Sequence, residues 1–304
     1  MTSRLEIAEP VRDTLERGGA VVALETSVLA QGLPPPRNLE AAERMHEAID
    51  ARGAVPAWIG VRDGLVRVGL DRAELEELAE PGVAAKVARR DLPAAVAWGR
   101  LGATTVSATI WAAHRAGIPV AATGGIGGVH PGSGDVSTDL AELAVTPVLL
   151  VCSGPKSIVD PVATAERLEE LGVAVVGYRC DRLPFFLARE APVDLEHRAD
   201  DPAGAAALVR AQRELGTGSA VVLANPVPAD AAMDPVVVAD AVRACQERAG
   251  REGVGGKALT PFLLGCLAER TGGASLEANL ALLASNAALA AEVAVAVAAL
   301  TPSA

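Results

Sequence analysis

Glu25 and Lys156 are the two side chains in this sequence best placed to move a proton or to form a bond to carbon. Each follows an apolar run, AVVAL at residues 20–24 for the acid and VLLVC at residues 148–152 for the lysine. A carboxyl at the end of a buried strand is partly removed from water, which favours its protonated form and suits general acid catalysis. The same residue would also serve as a helix cap or a first-turn carboxylate. A free lysine is almost wholly ammonium at neutral pH, with about one molecule in 2,500 neutral. Burial and the positive end of a helix both disfavour the ammonium, and the amine so released is a nucleophile. Lys156, four residues past its strand, is expected at such a helix start. A lysine snorkelling from that position is the alternative.

Between them lies ATGGIGGVHPGSGDVSTDL, residues 122–140, with glycine at 124, 125, 127, 128, 132 and 134. Glycine at this density marks backbone that approaches a ligand or needs positive φ. No Gly-Lys-Ser/Thr follows, and His130 stands where a dinucleotide fingerprint would need its third glycine. Asp135, Ser137 and Asp139 alternate beyond it. Two carboxylates and a hydroxyl suit a hard cation such as Mn²⁺ or Mg²⁺, with water completing the shell. A polar turn with Ser137 or Thr138 capping the next helix accounts for the same residues. Lys86, in AAKVARRDLP at residues 84–93, is a candidate phosphate ligand or part of a solvated charge cluster. The hydroxyls of GATTVSATI, residues 102–110, would form an anion site or an N-cap. Asn279 and Asn286, seven apart on an apolar helix, share one face and need partners there, whether another helix or a substrate.

These groups need a scaffold. Short β-branched runs at 20–24, 119–122, 148–152, 173–178 and 220–224 read as buried strands. Helical patterns cover about 38–52, 94–101, 107–116, 157–171 and 202–215, and Asp63-Gly64 joins a hairpin of residues 57–62 and 65–70. From 235 onwards the chain is mainly helical, over 235–248, 261–271 and 275–300. The expected fold is therefore one α/β domain over 1–304, three α/β/α layers with a mainly parallel central sheet and a small hairpin. Ligands of such sheets bind beyond the carboxyl ends of the strands, where Glu25, the glycine-rich loop, Lys156 and Asn225 all fall.

Half of the 304 residues are hydrophobic and only 2% aromatic, so Ala, Val and Leu must build the core. A net charge of -11 argues against nucleic-acid or anionic-membrane partners, though not against a small phosphorylated one. Cys152, Cys180, Cys245 and Cys266 show no metal-site spacing and read as reduced thiols of a cytoplasmic protein. The first nineteen residues carry Glu6, Glu9, Asp13 and Glu16 and read as no signal peptide. The apolar stretch 287–300 is too short to span a bilayer and carries Glu292, which points to a buried helix.

Taken together, ALETSVLAQGLPPPRN, KVARRDLP, GATTVSATI, TGGIGGVH, DVSTDL, LANPVP, GKALTPFLL and TGGASLEANLALLASN resemble the pseudouridine-5′-phosphate glycosidase family along nearly the whole chain. The resemblance implies reversible conversion of pseudouridine 5′-phosphate and water to uracil and ribose 5-phosphate. By it, Glu25 is the proton donor and Lys156 forms the covalent adduct at C1′ of the opened ribose. Asp135 holds a manganese ion largely through water. Lys86, Val106, Ser137, Thr138 and Asp139 contact the substrate, and Asn279 helps to position it. A homotrimer and a separate pseudouridine kinase are also implied. Two positions depart from the family pattern: Gln31, where histidine is expected, and Pro155, where a small residue is usual. A Schiff-base lyase of the same fold acting on another C-nucleoside or sugar phosphate, and a non-catalytic phosphosugar-binding relative, are the competing readings. A nicotinamide oxidoreductase ranks a distant third, because the fingerprint fails at His130.

Overall fold

The computed structural model describes residues 4–132 and 134–300. Eleven strands form one sheet: β1 (Leu5–Ile7), β2 (Val21–Glu25), β3 (Val55–Arg62), β4 (Leu65–Val68), β5 (Ala85–Val87), β6 (Gly102–Thr104), β7 (Val120–Ala122), β8 (Leu149–Cys152), β9 (Ala174–Tyr178), β10 (His197–Ala199) and β11 (Val221–Ala224). Their order is β1-β4-β3-β2-β7-β8-β11-β9-β10. From β3 to β10 every neighbour in that order is parallel. The hairpin is where the sequence places it, with Asp63 and Gly64 at φ 51° and 73°, the left-handed pair that a two-residue turn requires.

Alternation along each strand builds two cores. Val22 and Leu24 of β2, Leu149 and Val151 of β8, and Val221 and Leu223 of β11 face one layer. Val21 and Ala23, Leu150 and Cys152, and Val222 face the other. The first layer is made by α2 (Arg37–Asp50), α3 (Arg72–Ala79), α8 (Pro202–Leu215), α9 (Pro235–Glu252), α10 (Leu259–Arg270) and α11 (Ala274–Leu300). The second holds α1 (Glu9–Glu16), α4 (Leu92–Ala97), α5 (Val106–Ala116), α6 (Thr138–Leu143) and α7 (Pro161–Glu170). The expected three layers and mainly parallel sheet are present.

Two expectations change, and two features of the fold go beyond the sequence pattern. α7 begins at Pro161 with Asp160 as its N-cap, its side chain accepting from Val162 N and Ala163 N, so Lys156 lies in an irregular loop and not at a helix start. Three-residue strands such as β5 and β6 are too short for periodicity to reveal. The apolar tail is the end of a 27-residue helix, α11, which by length and composition is able to cross a membrane. It does not need to, because it packs against α2, α8, β2, β7 and β8 with Leu280, Leu282, Leu283, Ala287, Leu289, Val293 and Val297 buried. Each such leucine or valine contributes about 1.5–3 kcal/mol by leaving water.

The second changed expectation concerns the thiols. Cys245 of α9 and Cys266 of α10 are joined by a disulfide, with Cα atoms 5.8 Å apart, so the expectation of four reduced cysteines fails. Spacing in the sequence gives no hint of it, because only the packing of α10 on α9 brings the two side chains together. Cys152 and Cys180 stay free, and burial pushes their thiols up to about 12 and about 11, away from reactivity. Non-reducing peptide mapping should recover the peptides containing Cys245 and Cys266 as one linked species. The double substitution Cys245→Ser/Cys266→Ser should lower the unfolding free energy by about 2–4 kcal/mol in urea titrations. Unchanged stability would mean the bond does not form in solution.

Candidate active site

Glu25 closes β2 and is 3% exposed. Ser27 Oγ donates to its Oε2 at 2.6 Å, and Thr123 Oγ1, just past β7, donates to its Oε1. A hydroxyl can donate or accept, so the two partners can hold the carboxyl in either protonation state. Parallel register produces the encounter: Leu24 pairs with Ala122, which places Glu25 and Thr123 in the next row.

Lys156 arrives from the neighbouring strand. After β8 the chain turns at Gly154, whose φ is +74° and where a Cβ would lie 1.9 Å from the Pro184 carbonyl oxygen. Ile126 N then donates to Gly154 O at 3.1 Å and Lys156 N to Ile126 O at 2.9 Å, a single parallel bridge between the lysine loop and the glycine-rich loop. Pro155 sits in that bridge at the one position whose N–H is not used, which is why proline is tolerated there. The Lys156 side chain is half-buried in the same cleft as Glu25, and among the described residues its amine forms no ion pair.

Asp139 ties the third wall together. Its Oδ1 accepts from Ser107 N at 3.1 Å, serving the open first turn of α5, and its Oδ2 accepts from Gly127 N at 3.0 Å. Ser137 caps α6 by accepting from Asp139 N at 3.2 Å. Gly127 has to be glycine, because a Cβ there would lie 2.3 Å from Ser137 Oγ. The hydroxyls of residues 102–110 divide between structure and site. Thr104 and Thr109 are spent inside, with Thr104 Oγ1 donating to Ile59 O at 2.6 Å and Thr109 Oγ1 to Thr104 Oγ1 at 2.9 Å. Thr105 and Val106 line the cleft. Thr26 makes the handover: its Oγ1 donates to Ile59 O and accepts from Thr104 N, so β6 takes over the edge of β3 where β2 ends. This brings β5, and Lys86 with it, to the cleft wall.

The cleft, about 190 Å³, gathers Glu25, Lys86, Val106, Asp135, Ser137, Thr138, Asp139, Lys156 and Asn279, whereas Asn225 and Asn286 do not line it. It also holds residues that sequence reading passes over. Arg90 adds a third cation beside Lys86 and Lys156, and α10 contributes Thr260, Pro261 and Leu264. Phe186, 2% exposed, packs beneath the glycine-rich loop from a segment without periodic signal. The signal for His130 was present, an imidazole set among glycines, but it served only to exclude a dinucleotide. Gln31, in a short π-helical turn at Val28–Gly32, donates from Nε2 to Ala84 O at 3.0 Å; its Oε1, like Asn279 Oδ1, is buried without a partner among the described residues. Asp135 is exposed at the rim, and no cluster of three metal-ligating side chains occurs among the described residues.

A three-layer α/β/α protein with a polar, cation-lined cleft at its strand ends is the class that fold and site define. A family model described as indigoidine synthase A like protein matches residues 10–296, and the chain belongs to that family. Relatives named pseudouridine-5′-phosphate glycosidase occur in Rhodospirillum centenum (50% identical, covering 96% of this chain and 92% of the relative) and in Gemmatimonas aurantiaca (49%, 96% and 96%). One from Frankia alni is 47% identical over 97% of this chain and 82% of its own. Among solved structures, a prealnumycin C-glycosynthase in complex with ribulose 5-phosphate superposes with a TM-score of 0.89 at 38% identity, covering 97% of both chains. An indigoidine synthase A-like protein from Thermotoga maritima gives 0.89 at 37%, again over 97% of both.

Burial holds the His130 imidazole below its ordinary protonation range. Asp135 pulls the other way, and Lys86 and Lys156 reinforce the effect. NMR titration should place its midpoint below about 6.5, with Lys86→Met moving it up and Asp135→Asn moving it down. As the folded state resists a proton that the unfolded state accepts, this group's contribution makes stability fall as pH drops through that window. A midpoint at or above the free-imidazole value would contradict the burial.

Proposed function

We propose that the protein cleaves the C–C glycosidic bond of pseudouridine 5′-phosphate, reversibly, to uracil and ribose 5-phosphate. The observation that carries this is the convergence of Glu25 and Lys156 on one cleft, in a chain whose relatives bear that enzyme name. A bond from sugar carbon to base carbon has no leaving oxygen for an acid to protonate, so the two-carboxylate logic of ordinary glycosidases has no purchase on it. An amine supplies the missing electron sink.

In this reading the C1′–O4′ bond opens as Glu25 delivers a proton to O4′, and Lys156 Nζ bonds to C1′. Nζ then gives up a proton to the Glu25 carboxylate, which passes it to the base carbon as that carbon keeps the electron pair of the breaking C–C bond, while the nitrogen lone pair forms the C=N bond of an imine. Water adds to that imine, releasing ribose 5-phosphate and the free amine. Ser27 and Thr123 hold the acid in line. Lys86, Ser137, Thr138 and Asp139 bind the phosphosugar, with Val106 at the start of α5 against it, and Asn279 offers its unpartnered Oδ1 to the base. Arg90 adds charge for the phosphate.

A divalent cation such as Mn²⁺ would be held at Asp135, the exposed carboxylate at the rim, as both oxygens of Asp139 already accept from backbone N–H groups. Such an ion would retain most of its waters and would supply positive charge to a phosphorylated substrate. We further read the active form as a homotrimer in the cytoplasm, supplied with phosphorylated substrate by a separate pseudouridine kinase. There Cys245 and Cys266 would meet a reducing thiol pool.

Incubation of pseudouridine 5′-phosphate with the protein and Mn²⁺ should release uracil, and Lys156→Ala should lower kcat by at least about 10³-fold while leaving a cooperative unfolding transition. Cyanoborohydride with ribose 5-phosphate should add one sugar phosphate to the peptide bearing Lys156. Substantial turnover by Lys156→Ala would overturn the mechanism. Ribose 5-phosphate binding without trapping would instead favour a non-catalytic binding protein.

A further inference from the structure

Asn279 and Asn286 share a face of α11, but only Asn279 lines the cleft. Asn286 lies deeper and is fully buried. Its Nδ2 donates to Thr123 O at 2.9 Å and Gly124 O at 3.3 Å, and lies 3.1 Å from Ser153 Oγ. Its Oδ1 accepts from Asn225 Nδ2 at 2.9 Å. Thr123, Ser153 and Asn225 are the first residues past β7, β8 and β11. One amide therefore joins the ends of three adjacent parallel strands.

We infer that Asn286 is a positioning residue that sets the separation of the acid from the nucleophile, an inference that rests on the reading of Glu25 and Lys156 given above. Thr123 is the residue whose hydroxyl donates to Glu25, and its carbonyl is held by Asn286. Ser153 begins the loop that delivers Lys156 three residues later, and its hydroxyl meets the same amide. Asn286 thus fixes both arms from below without touching substrate. The task needs two N–H donors and one acceptor in a short side chain. Aspartate would set a carboxylate against two carbonyls, and leucine would remove the bonds to Thr123 O and Ser153 Oγ, leaving Gly124 O only its bond from Ser153 N and Asn225 Nδ2 only its bond to Ser285 Oγ.

The test is steady-state kinetics of Asn286→Ala with pseudouridine 5′-phosphate, alongside thermal unfolding and the rate of cyanoborohydride trapping of ribose 5-phosphate on Lys156. A misplacement on the order of 1 Å costs about 10²-fold. The expected result is therefore a fall of about 100-fold in kcat with KM within about 3-fold, and a trapping rate that falls with kcat in protein that still unfolds cooperatively. Folded protein with kcat and trapping within about 3-fold of wild type would reduce Asn286 to a packing role and overturn the inference. Should that variant fail to fold, Ser153→Ala removes one arm's contact and leaves the Asn286 bonds to Thr123 and Gly124 intact. It should lower kcat about 10-fold at unchanged KM, and an unchanged kcat overturns the inference equally. Wild-type protein that traps ribose 5-phosphate but releases no uracil would count against the substrate alone. No trapping in the wild type would remove both readings.

Discussion

Everything at this site hangs on the register of four parallel strands. Leu24 of β2, Ala122 of β7, Val151 of β8 and Leu223 of β11 lie in one row across the sheet. Beyond that row the strands diverge into loops, and the backbone groups that would have paired with a longer neighbour must find other partners. The chain meets that demand with the side chains of Thr26, which bonds Ile59 O and Thr104 N, and Asn286, which bonds Thr123 O and Gly124 O, while the Thr123 hydroxyl reaches Glu25 and Ser153 and Asn225 bond the Asn286 amide. Satisfying buried backbone and placing Glu25 beside the loop of Lys156 is a single arrangement here.

The loops are held to one another as much as to the sheet. Asp139 serves the first turn of α5 and the glycine-rich loop at once, so the wall that carries Ser137 and Thr138 cannot shift without freeing two buried N–H groups. Glu142, one turn further along α6 and 3% exposed, pairs with Arg89 at 2.7 Å and accepts from Thr146. That pair anchors the segment bearing Lys86 and Arg90. Because Glu142 is buried and Arg89 half-exposed, losing the arginine would leave a carboxylate without its counter-charge, the costly half of such a bridge.

Much of this was legible in the residues. The five apolar runs became strands because each needs an alternation that buries both faces, and β2, β8 and β11 show it. Glu25, Lys156 and the glycine-rich loop fall at strand ends, and the rule for open α/β sheets needs no more than that. What escaped is what depends on long-range packing. Strands β5 and β6 are three residues each and exist only because β3 extends past β2. The Cys245–Cys266 bond joins residues 21 apart that meet only when α10 folds back on α9. Asn279 and Asn286 look alike in a helix pattern, and depth in the fold, not spacing, tells them apart. The helix start expected at Lys156 was wrong because Asp160-Pro161 is the stronger cap signal, an acceptor followed by proline at the first helical position.

The long apolar helix α11 has a further consequence for how the chain is made. It covers one face of β2, β7 and β8, strands that precede it by more than a hundred residues, and nothing earlier in the described chain takes that place. During synthesis that sheet face stays open until α11 emerges, so the nascent chain carries a sticky surface through most of translation. A ribosome stalled before residue 274 would hold a product in need of a chaperone.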